Sequence, residues 1–298
     1  MSRPELRILS LGGVGDAVLL TACIREWRQQ HPEGRLITYC ADEKLREVLL
    51  GNPHIDSLRL VGRWRFWLHG LVPVLRRRFF KRVAAANYGT IFPSVSYTIS
   101  AARIIAELLG IKMNDDTMEI HLSEEEMRMG REHLVGLRNP VAFHTRATST
   151  QNKLWTDESW QTLVQNCPEY TFVQVGDRVE PPVSGAVDLR GLPLREAFAT
   201  IKHCSALVGL ESAFAHAAAA LGVPAVVLFG PSNPEVWGHP TAINLYARRR
   251  CSPCIDTLGR SQCPYDRACM RSIQVQEVST SLAKVLAARG VLSPHERS

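Results

Sequence analysis

Three stretches carry side chains at spacings that could do chemistry. The first is Gly12-Gly13-Val14-Gly15-Asp16. A carboxylate at a strand-to-helix turn suits a general base that takes a proton from a hydroxyl; capping the helix is the plainer use of the same residue. A dinucleotide fingerprint needs G-x-G-x-x-G. Val18 stands where the third glycine belongs. Asp16 would also compete with a pyrophosphate for one positive helix end. The second stretch is Glu211-Ser212-Ala213-Phe214-Ala215-His216. Amides of Ser212–Ala215 at a helix start, with His216 one turn in, can hold a phosphate, and Glu211 is available to sugar hydroxyls. A packed histidine is the alternative. The third is Lys153 beside Trp155, after Thr148, Ser149 and Thr150. Hydroxyls and an ammonium at a strand's carboxyl end suit a diphosphate; a solvated loop lysine is the alternative.

Two further segments stand out. Cys251, Cys254, Cys263 and Cys269 place four thiols within nineteen residues. In a reducing compartment such a set suggests a structural tetrathiolate, against buried thiols as the other reading. Thiolate donors do not separate iron from zinc. Cys23, Cys40, Cys167 and Cys204 fall on apolar faces or element ends and read as core. Residues 63–82 hold Arg63, Arg65, Arg76, Arg77, Arg78, Lys81 and Arg82 with no acid, interleaved with Trp64, Phe66, Trp67, Phe79 and Phe80. An anionic membrane surface or glycolipid suits that mixture. A packed amphipathic element suits it equally. Nucleic acid does not, because the patch is confined to one segment and no binding module surrounds it.

Regular elements must position these groups. Arg7–Leu11 reads as a strand, 16–30 as a helix with Leu20, Ile24 and Trp27 on one face, and Arg35–Cys40 as a strand. Thr90–Phe92 reads as another strand, and Ser100 and Gly110 bound a helix. The alternation restarts near Pro140. Val141–Thr145, Thr171–Val175, Ala206–Leu210 and a final Ala225–Phe229 read as strands. Thr156 caps a helix with Trp160, Leu163, Val164 and Cys167 inward; Leu194–Cys204 and Ala213–Leu221 are helical. Two β/α runs predict two doubly wound, Rossmann-like domains over 1–139 and 140–298, the second carrying the cysteine segment 251–269. Ligands of such domains gather at the carboxyl ends of strands.

The 298 residues are 45% hydrophobic and 21% charged, which suits two globular cores and excludes disorder and small disulfide scaffolds. The net charge is +6; segment 63–82 alone contributes +7. No secretory signal or membrane span is evident, so a cytoplasmic protein with reduced cysteines is expected.

LGGVGDAVLLT, KLW, LESAFAHAAAALGVPAVVLFGPSNPEVWG and CSPC…C…CMRSI, in this order, resemble the heptosyltransferase-type glycosyltransferases, family 9. The resemblance runs from Ile8 to about Val278. It implies a GT-B fold, two Rossmann-like domains with an inter-domain cleft. The N-terminal domain would take the acceptor and the C-terminal one the nucleotide sugar. By resemblance Asp16 is the catalytic base and Gly12, Gly13, Val14 and Gly15 line the cleft. Thr148, Ser149, Lys153, Glu211, Ser212, Ala213 and His216 contact the donor, and Glu180 holds the ribose. The implied reaction is inverting transfer from ADP-heptose, without a catalytic metal, to a lipopolysaccharide-core or other glycan. A protein serine is a further acceptor that the cysteines allow, since a comparable cluster binds iron in protein-modifying relatives. Glu211 and Ala213 stand where the family has Asp and Gly, which narrows the donor pocket. A non-catalytic sugar-nucleotide binder is the rival that such narrowing would favour. The basic stretch implies peripheral contact at the inner face of the inner membrane.

Overall fold

The computed structural model describes residues 3–61, 83–86, 98–255 and 261–288. The strand expected at Thr90–Phe92 and the basic stretch 63–82 lie outside the described residues. Two compact units emerge, and the chain passes from the first to the second between His121 and Leu122.

In the first unit, β1 (Glu5–Ser10), β2 (Arg35–Cys40), β3 (Ser57–Leu60) and β4 (Val83–Ala86) form a parallel sheet in the order β3-β2-β1-β4. Helix α1 (Val14–Gln30) buries Val18, Leu20, Ile24 and Trp27, the expected face. Helix α2 (Glu43–Leu49) starts at Asp42, whose side chain accepts from the Leu45 N–H. Helix α3 (Ala101–Leu109) has the expected Ser100 cap and ends on Gly110 at φ 67°, the left-handed conformation glycine tolerates.

The second unit begins with a helix that the sequence reading missed, α4 (Glu124–Glu132). Ser123 and Glu126 form a reciprocal capping box. Glu126 also accepts from Arg195 Nη2 at 2.8 Å, and His203 contacts the Met127 carbonyl at 3.1 Å. These bonds tie α4 to the helix carrying Arg195 and His203. The boundary expected at 139/140 therefore lies inside this unit.

Six parallel strands follow: β5 (Pro140–His144), β6 (Thr171–Gln174), β7 (Val187–Asp188), β8 (Ala206–Leu210), β9 (Ala225–Phe229) and β10 (Ala242–Tyr246), in the order β10-β9-β8-β5-β6-β7. Strands β8 and β9 are buried at every residue, as strands covered on both faces must be. Ala225–Phe229 is not the final strand: β10 extends the edge. Around the sheet lie α5 (Asp157–Asn166), α6 (Leu194–His203), α7 (Ala213–Ala220), the short α8 (Pro234–Trp237), α9 (Ala268–Ser272) and α10 (Val275–Ala288). Trp155 and Trp160 meet edge-to-face at 4.9 Å in the core beside Phe143 and Phe172.

Both sheets are doubly wound, as expected. In each, successive strands run outward in both directions from one interior strand. The order reverses beside β1 in the first unit and between β5 and β8 in the second. Ligand sites of such sheets lie at the carboxyl ends of the strands at that reversal.

Candidate active site

In the first unit the reversal point holds the turn after β1. Helix α1 begins at Val14, earlier than expected, so Asp16 is its third residue and not its cap. The Gly13 N–H donates to Asp16 Oδ2 at 2.6 Å. A Cβ on Gly12 would lie 2.4 Å from that oxygen, so only glycine lets the carboxylate fold back. Gly13 and Gly15 flank Val14, with Gly13 exposed and Asp16 half-buried. The local fold thus fixes one carboxylate oxygen at a helix start.

In the second unit, three separate segments deliver charge to the ends of β5 and β8. Lys153 closes a 3-10 turn, Gln151–Lys153, which Thr150 caps through the Asn152 N–H. The Asn152 side chain bonds the Ser261 carbonyl and the Cys263 N–H, and Trp155 Nε1 donates to the Ile273 carbonyl at 3.1 Å. So anchored, Lys153 Nζ reaches Glu211 Oε2 at 2.5 Å, both side chains only 6% exposed. Ser232 Oγ donates to the same oxygen at 2.6 Å. His216 Nε2 faces Glu211 Oε1 at 3.8 Å, and its Nδ1 meets His239 Nε2 at 2.7 Å. Burial alone would raise the Glu211 pKa; the Lys153 ammonium, with hydrogen bonds from Lys153 and Ser232, holds it below the ordinary carboxylate value.

This geometry refines the expected roles. The sequence candidates Lys153, Glu211 and His216 converge, although 58 residues separate the first two. The Glu211 carboxylate is turned to Lys153 and Ser232 through Oε2. Lys153 is not a solvated lysine. Its ammonium has three N–H donors and spends one on Glu211. Helix α7 starts after Ser212, and the Ser212 carbonyl takes the Ala215 and His216 N–H groups. Of the amides expected to be available, the Ala215 one is therefore committed, leaving those at the very start of the helix.

Ser212 Oγ is not a cap either. It pairs with His144 Nδ1 at 3.2 Å, while His144 Nε2 faces Glu180 Oε1 at 3.3 Å. Phe214 packs on the His144 ring. Glu180 follows β6 and accepts from the Asp177 N–H; a Cβ on Gly176 would meet its carboxylate at 2.6 Å. Its other oxygen, Oε2, is buried without a hydrogen-bond partner. Thr148 is exposed and Ser149 half-buried in the bend after β5. The sequence reading missed His144, Ser232 and His239. Ser232 lies inside a quoted motif and His239 one residue past it, but no periodicity marks either.

The four cysteines expected to hold a metal, Cys251, Cys254, Cys263 and Cys269, all lie in the second unit. Among the described residues no group of three or more His, Cys, Asp or Glu is placed to hold a metal ion. Three of the cysteines follow different anchors. The Cys254 N–H donates to the Pro231 carbonyl, the Cys263 N–H to Asn152, and Cys269 rides on α9 against Gly230, while Cys251 is exposed. The thiols are nevertheless neighbours: burial, then charge on Cys251 and Cys263, raises the Cys269 pKa. Cys23, Cys40, Cys167 and Cys204 are buried core residues, as expected. Burial pushes Cys40 and Cys204 up to about 12 and Cys167 to about 11, which keeps them inert thiols.

The histidine pair predicts acid sensitivity. Burial lowers His216 to about 4 and His239 to about 3, against about 6.5 in an unfolded chain. Between these values the unfolded state binds more protons. The stabilisation is therefore complete above about pH 6.5 and is lost as pH falls towards 4. Thermal melts across that window should show a falling Tm, with a shallower fall in His239→Gln. Superimposable profiles would remove the pair from the acid response.

Residues 187–263, which span β7 to β10 and include Glu211–His216, match the model of glycosyltransferase family 9 (heptosyltransferase). The match lies within the second unit. Solved structures agree on the fold. A glycosyl transferase family 9 protein from Veillonella parvula is 21% identical, with 97% of this chain and 99% of that one covered and a TM-score of 0.75. Escherichia coli ADP-heptose lps heptosyltransferase II is 17% identical over 96% of this chain and 99% of its own, TM-score 0.71. The iron-containing dodecameric glycosyltransferase TibC of enterotoxigenic E. coli is 18% identical over 97% of this chain and 77% of its own, TM-score 0.73; it has also been solved with ADP-D-β-D-heptose. No curated protein matches the sequence. The chain has the GT-B fold of these structures.

Proposed function

We propose that this chain is a glycosyltransferase that moves a heptose from ADP-heptose, with inversion, onto a hydroxyl of a lipopolysaccharide-core or related glycan. One observation carries the reading: Lys153, Glu211, Ser212 and His216 converge at the strand-order reversal of the unit that matches family 9. An ammonium held by a buried carboxylate, next to a helix start, is a preorganised seat for a diphosphate. Charge develops on that group as the glycosidic bond breaks, so donors fixed there assist the transition state most. Asp16, in the first unit, would accept the acceptor's proton as its oxygen attacks the anomeric carbon. Glu180, with one buried carboxylate oxygen open, would accept a ribose hydroxyl. Thr148 and Ser149 would donate to the diphosphate. TibC and E. coli heptosyltransferase II support the choice of ADP-heptose, since each is named for it or solved with it. If a metal ion were held, Cys251, Cys254, Cys263 and Cys269 would hold it in a structural role, and no step is assigned to one.

Calorimetry with ADP, ADP-heptose, UDP-sugars and NADH tests the donor. ADP and ADP-heptose should bind and the others should not. Binding of NADH, or of no nucleotide at all, would overturn the reading.

The acceptor side predicts membrane contact. No helix among the described residues is long and apolar enough to cross a bilayer. A basic aromatic stretch can still hold a protein at a surface. Arg76, Arg77 and Arg78 changed together to Gln should release the protein from anionic liposomes, at about 1 kcal/mol each. Wild-type protein that never sediments with such liposomes argues for a soluble acceptor.

A further inference from the structure

The mechanism above uses His216 but leaves His239 unexplained. His239 follows α8 and lies outside every candidate drawn from the sequence. Its place is tightly built. A Cβ on the preceding Gly238 would collide with the Pro234 carbonyl oxygen at 2.4 Å, so glycine alone permits the turn. The His239 carbonyl accepts from Asn244 Nδ2 and from the Ala242 N–H, both at 3.1 Å. The ring stands at 85° to that of His216, with centroids 4.9 Å apart. The Trp237 ring lies 6.3 Å from that of His216.

Two imidazole nitrogens 2.7 Å apart must share one proton, or their lone pairs repel. Both rings are buried and neutral. Two arrangements satisfy that contact. If His216 carried its proton on Nδ1, its bare Nε2 would point at the Glu211 carboxylate 3.8 Å away. That is lone pair against anion. If His239 donates from its Nε2, His216 accepts on Nδ1 and carries its own proton on Nε2, pointed at the carboxylate. The charged groups facing the pair are Glu211 and Lys153, which act in opposite senses; the Glu211 carboxylate, 3.8 Å from Nε2 and the larger influence on His216, favours the second arrangement.

We infer that His239 is a positioning residue that locks His216 as the Nε2–H tautomer, so that His216 presents a neutral hydrogen-bond donor at the Glu211–Lys153 end of the diphosphate seat. A neutral donor suits a site that must also release its anionic product. The inference rests on the donor-site reading above and adds the group that sets its hydrogen-bond polarity. Ser232 acts in parallel on Glu211. The loop after β9 thus supplies both supports of the site.

The test has a spectroscopic and a binding arm. Two-bond 1H–15N correlation spectra of labelled wild-type protein, with His216 assigned through His216→Gln, should show a pyrrole-type Nε2 and a pyridine-type Nδ1. His239→Phe keeps a ring of similar size but cannot donate. It should give mixed His216 tautomers and weaken ADP binding about tenfold, the worth of one hydrogen bond. His239→Gln retains an N–H near the same place and should restore both within about threefold. A wild-type His216 protonated on Nδ1 overturns the inference, whatever the variants do. So does a His239→Phe protein with unchanged tautomer and ADP affinity. Wild-type protein that does not bind ADP overturns the donor-site reading instead, and the spectra then still decide what His239 does to His216.

Discussion

Lys153→Met is expected to lower both stability and ADP affinity, and adding Glu211→Gln is expected to restore only the first. Nζ and Oε2 are 2.5 Å apart, and neither side chain is more than 6% exposed. Removing one partner leaves the other charge buried and uncompensated, which costs about 3–5 kcal/mol. Glu211→Gln alone strands the ammonium in the same way. Neutralising both ends removes the desolvation cost together with the attraction, so the double variant should lie close to wild type in stability. The phosphate-binding charge is absent from it all the same. ADP affinity should therefore stay low while the melting temperature recovers. Urea unfolding of the four proteins measures the coupling, and calorimetry measures ADP. Additive losses in stability would show that the two side chains do not act as a pair. A double variant that binds ADP like wild type would remove Lys153 from the donor site and leave it a structural ion pair.

Local signals carried much of the fold. Ser100 and Gly110 bracket α3, Thr156 caps α5, and the runs RLITYC, ALVGL and AVVLF form β2, β8 and β9 within the expected limits. Each depends on residues close in sequence. Strand β10 was missed because AINLY is an edge strand, half-buried throughout, with Asn244 inside it. Helix α4 was missed although Ser123-x-x-Glu126 is a capping box. Its sequence EEEMRMGRE is mostly polar, and it is held chiefly through Arg195 and His203, far along the chain. That same pairing moves the division between units to the point before α4. The candidate site was legible as residue types but not as a network. Nothing in the spacing of Lys153, Glu211, Ser232 and His239 shows that they meet. The order of six parallel strands brings them together. Nor does sequence decide whether four thiols in one segment gather on an ion.

The largest effect on chemistry is expected from Asp16→Asn. The asparagine side-chain oxygen can still accept from the Gly13 N–H, so the fold-back over Gly12 and the start of α1 should survive. Losing one negative charge near a helix N-terminus costs about 0.3–1 kcal/mol, too little to unfold the unit. A neutral amide cannot accept the acceptor's proton. Loss of a positioned general base typically slows a reaction by roughly 10²–10⁴-fold, and that is the fall expected in transfer from ADP-heptose. ADP affinity, proposed above for the second unit, should change less than about twofold. Gly12→Ala provides the complementary case. It keeps the carboxylate but pushes it off the turn, so it too should lose transfer while leaving ADP binding alone. If Asp16→Asn retains more than about a third of wild-type turnover, the carboxylate is a helix-start residue and the base lies elsewhere. If Asp16→Asn is inactive while Gly12→Ala is fully active, a base at Asp16 remains, but the fold-back geometry is not what positions it.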